Sequence, residues 1–396
     1  MPPNILWIVT TQWRAQAAGY AGDPNARTPF LDALARESVD FTQAVTPHPF
    51  GPFARAAMLT GVASPGNGIR GYYDPLPPAS RTVAHRMRSL SYATAFFGKW
   101  HLSPRNRDAN LTGEEHARAP VAPEYWGGFD FWEGFESGFL LNDPWLHGTR
   151  LPQPVRFPGY QSDVVCARAC EALRSWAGPW FAVVSLEAPH PPYGAPAAGV
   201  RASEPSALAL RGNVPGCAAG RARRELAGYY AHIEATDRSI GRLVAGLAAD
   251  TVVVFTSVHG DMHGSHGLFR KGWPHEESVR VPLLVRGAGP ARRDPGPVSL
   301  IDLPSLTAGW AGEPGAAQAP SGGAVRISMP SVVGLPDQCD RVWSGVRTAS
   351  RKLVLGADGS PWLYFDLERD PLEASNLAGD PSRAGEVEAL RGALSG

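Results

Sequence analysis

The sequence predicts an α/β fold: a mostly parallel sheet sandwiched by helices, followed by a small C-terminal α+β subdomain. Three observations carry this. Wholly apolar runs of strand length recur along the chain, segments with helical spacing alternate with them, and each run ends abruptly in polar and titratable residues. Buried parallel strands that deliver such groups at their carboxyl ends are where open α/β sheets bind ligands.

Residues 4–10, NILWIVT, are the first strand, with the polar exit Thr11-Gln12-Trp13-Arg14. Residues 28–41 have a helical pattern, with Phe30, Leu31, Leu34 and Val39 apolar and Asp32 early. The Pro- and Gly-rich stretch 46–61 is a loop entering a short helix at about Phe53, whose first N–H groups would face whatever sits in the loop. Residues 91–103 are a strand followed at once by Lys99, Trp100 and His101, and 103–161 read as a loop-rich insert. Its aromatic patch, Phe129, Phe131, Trp132 and Phe135, reads as packing, and its role at 125–147 stays open. Residues 180–194 form a third strand ending in Glu187 and His190, and 228–247 form a long helix.

That helix leads into the stretch the chain is organised around, residues 251–286. A β-branched run to Phe255 gives way to Thr256, and His259, Asp261, His263, His266 and Lys271 follow. This cluster is the candidate active site. After Arg286 the chain is rich in Gly, Pro and Ala around one helical patch, and from about Ile327 it reads as short strands and a polar final helix. The expected domains are 1–325 and 326–396.

Lys plus Arg and Asp plus Glu number 37 each, so no global charge points to nucleic acid or to an anionic membrane. No run reaches the ~18 apolar residues of a membrane span, and the N-terminus lacks a basic leader, so a cytoplasmic location is expected. Cys166 and Cys170 are core thiols on a helix, and no cysteine pair has metal-ligand spacing.

Five separated motifs resemble the sulfatase family of the alkaline-phosphatase superfamily: NILWIV with TPFLDALARESVDFTQA, RAAMLTG, GKWHL, the stretch from HGD to RVPLLVRG, and LYFDLERDPLEASNLA. They occur in the family's order along nearly the whole chain. The central stretch looks most like the subgroup of phosphonate monoester hydrolases and choline-sulfatase-like enzymes. The resemblance implies a sulfatase/alkaline-phosphatase-like sheet. It also implies that Arg55, Lys99, His101, His190, His259 and Lys271 hold a sulfate or protonate its leaving oxygen.

The departures fall on the other half of the implied site. Where the family carries two adjacent Asp after the first strand, this chain has Thr11 and Gln12. Aligned on Arg55, the family's Cys or Ser nucleophile becomes Gly51, and Val258 replaces a third carboxylate. A hard divalent cation needs oxygen ligands, largely anionic. Losing three carboxylates together with one dication changes the charge by only about +1, which leaves a cationic pocket. Gly51 has no side chain with which to attack.

The expectation is therefore a protein without metal or cofactor that binds a small-molecule sulfate or phosphate ester. The favoured reading is a biosynthetic enzyme that uses sulfate as a leaving group, by intramolecular displacement (cyclisation) or elimination. His259, His101 and His263 are its candidate bases at near-neutral pKa, Asp261 orients one of them, and His190 is a further catalytic candidate. The alternatives are a pseudoenzyme that binds an anion or a partner, and an atypical hydrolase with histidine-activated water. Substrate identity and oligomeric state are not legible in the sequence.

Overall fold

The computed structural model describes residues 2–317 and 323–395. The part of the Gly-, Pro- and Ala-rich stretch at 318–322 lies outside the described residues. The strands of the large sheet are β1 (Ile5–Thr10), β2 (Ser38–Val45), β3 (Ala93–Lys99), β4 (Phe131–Phe135), β5 (Trp145–Gly148), β6 (Leu151–Arg156), β7 (Trp180–Ser185), β8 (Val252–Ser257), β9 (Leu283–Arg286) and β10 (Arg292–Ser299). Their spatial order is β10-β2-β9-β8-β1-β7-β3-β4-β5-β6. The middle of the sheet, β8-β1-β7-β3-β4, is wholly parallel, so its five carboxyl ends open on one side of the molecule.

Successive side chains of a strand point to opposite faces, and each face here has its own core. Ile5, Trp7 and Val9 pack on one face with Val252 and Val254, while Leu6 and Ile8 pack on the other with Val253 and Phe255. The first face is covered by helices Gly51–Thr60, Val83–Ser89 and Leu303–Trp310. The second is covered by helices Pro29–Arg36, Gln161–Arg174 and Gly216–Ala245. The last of these begins at 216, well before the start expected at 228, because small residues such as Ala218 and Ala222 continue its buried stripe. Gly228 lies on it where any Cβ would come 1.8 Å from the Tyr193 carbonyl oxygen, so glycine is what lets the Tyr193 loop rest on the helix.

The insert at 103–161 is loop-rich, as expected, but it also carries strands. It supplies β4, β5 and β6, and Trp132 and Phe135 are buried where β4 pairs with β3. A second, antiparallel sheet follows: β11 (Val325–Met329), β12 (Trp343–Arg347), β13 (Arg351–Gly356) and β14 (Pro361–Asp366), with helix Ala384–Ser395 against it. One face of this sheet, through Ile327, Met329, Trp343 and Phe365, joins the core of the large sheet. Among the described residues no helix is long and apolar enough to cross a membrane.

Candidate active site

The carboxyl ends of the parallel strands enclose a cleft of about 710 Å³. Thr11 follows β1, Lys99 ends β3, His101 follows it, His190 lies beyond β7, and His259 and Lys271 lie beyond β8, so one layer of strand ends gathers six of the residues picked out in the sequence. Gly51, the first residue of helix Gly51–Thr60, lines the cleft as well. That helix therefore starts two residues before the expected Phe53, and its first-turn N–H groups, free of intrahelical partners, add positive potential there. Phe139 closes one wall, stacked on His190 with ring centroids 4.5 Å apart. Gln12 (φ 69°), His101 (φ 61°) and Phe139 (φ 55°) all take left-handed backbone conformations, a strain that concentrates at ligand sites.

The hydrogen-bond partners fix what each ring presents. His259 Nδ1 lies 2.9 Å from the Gly260 carbonyl oxygen and so donates, leaving Nε2 as a lone pair with no partner among the described residues. His190 Nδ1 donates to the Pro191 oxygen at 2.8 Å, and its Nε2 accepts from Lys271 Nζ at 2.9 Å. His101 Nε2 accepts from Arg105 at 2.7 Å, which leaves Nδ1–H, unpartnered among the described residues, turned toward Gly51. The cleft thus offers one N–H donor and one basic nitrogen from two neutral rings.

Two lysines set its charge. Lys99 Nζ lies 2.7 Å from Glu187 Oε1 and 4.7 Å from the centre of the Phe139 ring. Lys271 Nζ lies 2.5 Å from Gln12 Oε1, so its two partners, Gln12 and His190, are neutral acceptors. Burial, reinforced by Lys99, pushes Lys271 down to about 7, and burial pushes Lys99 down to about 8 although Glu187 opposes it. The expected near-neutral histidines are not found. Burial first, then repulsion from Arg105 for His101 and from Lys271 for His190 and His259, holds all three well below the usual imidazole value. Glu187 also makes the cleft less cationic than the sequence arithmetic implies.

Three assigned residues stand elsewhere. Asp261 is wholly buried behind the cleft, where it accepts from Gln12 Nε2 at 2.5 Å, Tyr193 Oη at 2.6 Å and the His263 N–H at 3.0 Å. Burial alone would raise its pKa, but nearby His263 and Arg270 and these hydrogen bonds hold it below the carboxylate range. It orients Gln12 rather than a histidine of the cleft. His263 is no base here: it sits between the rings of Tyr193 and Tyr229, lines a separate hollow with Arg14 and Tyr230, and is pushed down to about 3 by burial. Arg55 lies beneath the floor, donating to the Lys99 carbonyl oxygen, Ser185 Oγ and Thr11 Oγ1, and braces the strand ends rather than facing an anion. Sequence reading left Glu187, Arg105, Tyr193 and Phe139 without roles. The signal for Glu187 is its place at the end of a strand beside β3.

The positions at which the resemblance implies a divalent cation do not fit one. Thr11 Oγ1 donates to the Leu186 oxygen at 2.9 Å and accepts from the Arg55 guanidinium at 2.9 Å. The Gln12 oxygen is taken by Lys271. Val258 has no donor atom and is buried in the core. Two of three positions thus already accept from cationic groups and the third is apolar, a donor set no hard dication prefers. At Gly51 a Cβ would lie 3.0 Å from His101 Nδ1, so even the stem of a nucleophilic side chain presses on that ring.

Comparison with known proteins places the chain. The ulvan-active sulfatase of Formosa agariphila is 34% identical over 425 residues, covering 99% of this chain and 79% of that protein. The choline-sulfatase of Rhizobium meliloti is 26% identical over 96% of this chain and 83% of that protein. The solved phosphonate monoester hydrolase of Agrobacterium radiobacter superposes with a TM-score of 0.77 at 21% identity, over 99% of this chain and 95% of that one. The family model described as Sulfatase matches residues 3–313, and the chain belongs to the sulfatase family, with its alkaline-phosphatase-like fold.

Proposed function

We propose that this protein is a metal-independent enzyme acting on a small sulfate or phosphate monoester, in which the ester's anionic group leaves from carbon instead of being attacked at sulfur or phosphorus. The observation that carries this is Gly51 beneath His101: the nucleophile position has no attacking atom, and a Cβ there would already lie 3.0 Å from His101 Nδ1. Lys99, Lys271 and the His101 Nδ1–H are the groups that take up negative charge as it grows on the departing oxygen, which is the differential stabilisation a transition state needs. The His259 Nε2 lone pair accepts the proton lost by the substrate, either from its own nucleophile (displacement) or from carbon (elimination). Its low basicity rises when a bound anion offsets the repulsion from Lys271.

Atypical hydrolysis is the second reading, favoured by the 34% identity to an ulvan-active sulfatase, with water as the group deprotonated by His259. Turnover of sulfate monoesters in ¹⁸O-labelled water separates the two. Label absent from released sulfate and a rearranged carbon skeleton are expected; label in the sulfate means attack at sulfur and supports the hydrolase. Sulfate binding with no turnover of any ester leaves an anion-binding pseudoenzyme.

A further inference from the structure

We infer that Arg105 is a positioning residue that locks His101 as a neutral ring, able to offer its Nδ1–H as a hydrogen bond but not to release it as a proton. This rests on the reading above, in which the ester's anionic group leaves from carbon, and names the residue that suits the cleft to that departure.

Arg105 lies four residues past His101, outside the GKWHL motif that carries the family resemblance. A guanidinium has donors and no acceptor, so Arg105 Nη1, 2.7 Å from His101 Nε2, obliges that nitrogen to be the lone pair. The proton of the neutral ring is then on Nδ1, which is turned toward Gly51 and has no partner among the described residues. Arg105 is itself held fast. Its side chain is only 1% exposed, with Nε 3.4 Å from Glu136 Oε1. Its Nη2 donates to the Tyr72 carbonyl oxygen, and the guanidinium lies 4.4 Å from the centre of the Tyr72 ring. Glu136 Oε2 in turn accepts from the Leu102 and Ser103 N–H groups at 3.2 and 3.1 Å and from Ser103 Oγ at 2.8 Å. The His101 backbone N–H donates to the Glu136 carbonyl oxygen at 2.8 Å. Glu136 thus anchors the arginine by its side chain and the histidine by its backbone.

The lock separates donating from protonating. A neutral imidazole that gives up its Nδ1 proton must take one at Nε2, and Arg105 fills that nitrogen. Charging the ring first is opposed by burial, by Arg105, and by Lys99, Arg55 and Lys271. The remaining neighbours are the Tyr72 and Phe139 rings, which meet it edge to face and supply no proton. An alcohol expelled from sulfur needs a proton as it leaves, whereas a sulfate expelled from carbon is already a stable anion and needs only donors. In that step the C–O bond breaks with its electron pair passing to the sulfate oxygen, which accepts the Nδ1 hydrogen bond. The proton lost by the substrate goes to His259 Nε2. His101 begins and ends neutral.

The ring's state is read by ¹⁵N NMR of histidine-labelled full-length protein, assigned against His101→Gln, with inorganic sulfate titrated in parallel. Wild type should show a neutral ring protonated at Nδ1 from about pH 5 to 8, with that resonance shifting on sulfate addition. Arg105→Met with Glu136→Gln removes the lock and its anchor together, so that no buried carboxylate is stranded. The Nε2–H form should then appear, and sulfate affinity at about pH 8 should fall roughly 3- to 10-fold, the worth of one hydrogen bond. Arg105→Lys keeps a donor at Nε2 and should restore the Nδ1–H form; should the double variant not fold, Arg105→Ala makes the comparison with it. A wild-type ring that is charged or protonated at Nε2 near pH 7 overturns the inference, as does an unchanged ring once Arg105 is gone. A changed ring with unchanged sulfate affinity overturns the positioning role. The underlying reading fails separately: ¹⁸O in released sulfate, with the Nδ1–H form intact, overturns departure from carbon and leaves the hold of Arg105 on His101 standing.

Discussion

Two buried polar clusters in this molecule are built on opposite plans. Between the large sheet and the small antiparallel one, Glu276 accepts from Arg347 at 3.0 Å and Lys352 at 3.0 Å, Glu373 is 2.5 Å from Lys352, and Glu277 is 2.8 Å from Arg211. Every carboxylate there has a cation. Even the trio His266, Glu277 and Glu373, whose ligand atoms all lie within 4.8 Å of one another, has both of its acids already engaged. In the cleft Lys99 has Glu187, but Lys271 has only an amide and an imidazole, and His101 and His259 each keep a ring nitrogen unpartnered among the described residues. A matched cluster holds two sheets together. A mismatched one, kept in place by the fold, is suited to a ligand that completes it.

The largest effect that can break this contrast is on stability. Lys352→Met leaves Glu373 in the interior without its cation, while Glu276 keeps Arg347, and losing one member of a buried ion cluster costs about 3–5 kcal/mol. Lys271→Met removes a buried ammonium that has no ion partner, so its melting temperature should stay level or rise. Thermal melts of the two variants test the difference; equal destabilisation would show that Lys271 too is a structural cation. The pH dependence sharpens it. Lys271 titrates at about 7 folded and about 10.5 unfolded. The unfolded chain therefore binds more protons across that window, and Lys271 makes stability increase with pH from about 7 to 10.5. Lys271→Met should flatten that rise.

Next in size is anion affinity. A desolvated charge-assisted contact contributes ~1.5–3 kcal/mol, so Lys99→Ala should weaken sulfate binding about tenfold or more. In wild type the affinity should fall as pH rises from 6 to 9, because Lys271 and then Lys99 lose their protons near 7 and 8. Calorimetry in buffers of different ionisation enthalpy should find proton uptake on binding near pH 8. An affinity flat with pH would mean that sulfate is held by backbone N–H groups and not by the lysines.

The legible part of the sequence was local. The parallel strands showed as apolar runs, and Lys99, His101, His190, His259 and Lys271 stood at their ends because a strand carries the next residues of the chain to its own carboxyl edge. The illegible part depends on chain reversal and on neighbours remote in sequence. The turn after Gly260 carries Asp261 and His263 behind the cleft, with His263 at φ 43°, and nothing in HGDMH says so. Glu187 meets Lys99 only because β7 lies beside β3. Strands β6 and β10 do not read as strands because LPQPVR and RRDPGPVS contain prolines. Both are edge strands, where a missing N–H costs no ladder bond.

The smallest predicted effect tests the Gly51 side of the cleft. Gly51 sits at the first turn of its helix, with Phe50 before it in extended backbone, so Gly51→Ser meets no conformational barrier of the left-handed kind. The obstacle is His101, whose Nδ1 would lie 3.0 Å from the new Cβ and whose Nε2 is pinned by Arg105. Overpacking at such a contact costs on the order of 1 kcal/mol. Gly51→Ser should therefore fold, lose a few degrees of melting temperature, bind sulfate slightly more weakly, and gain no hydrolysis of p-nitrophenyl sulfate. His101→Ala in the same background relieves the contact and should restore the melting temperature without producing hydrolysis, since the serine would have no divalent cation to lower its pKa. Turnover by Gly51→Ser alone, with ¹⁸O entering the sulfate, would mean that the two halves of the cleft were never separated and that only one side chain stands between this protein and hydrolysis at sulfur.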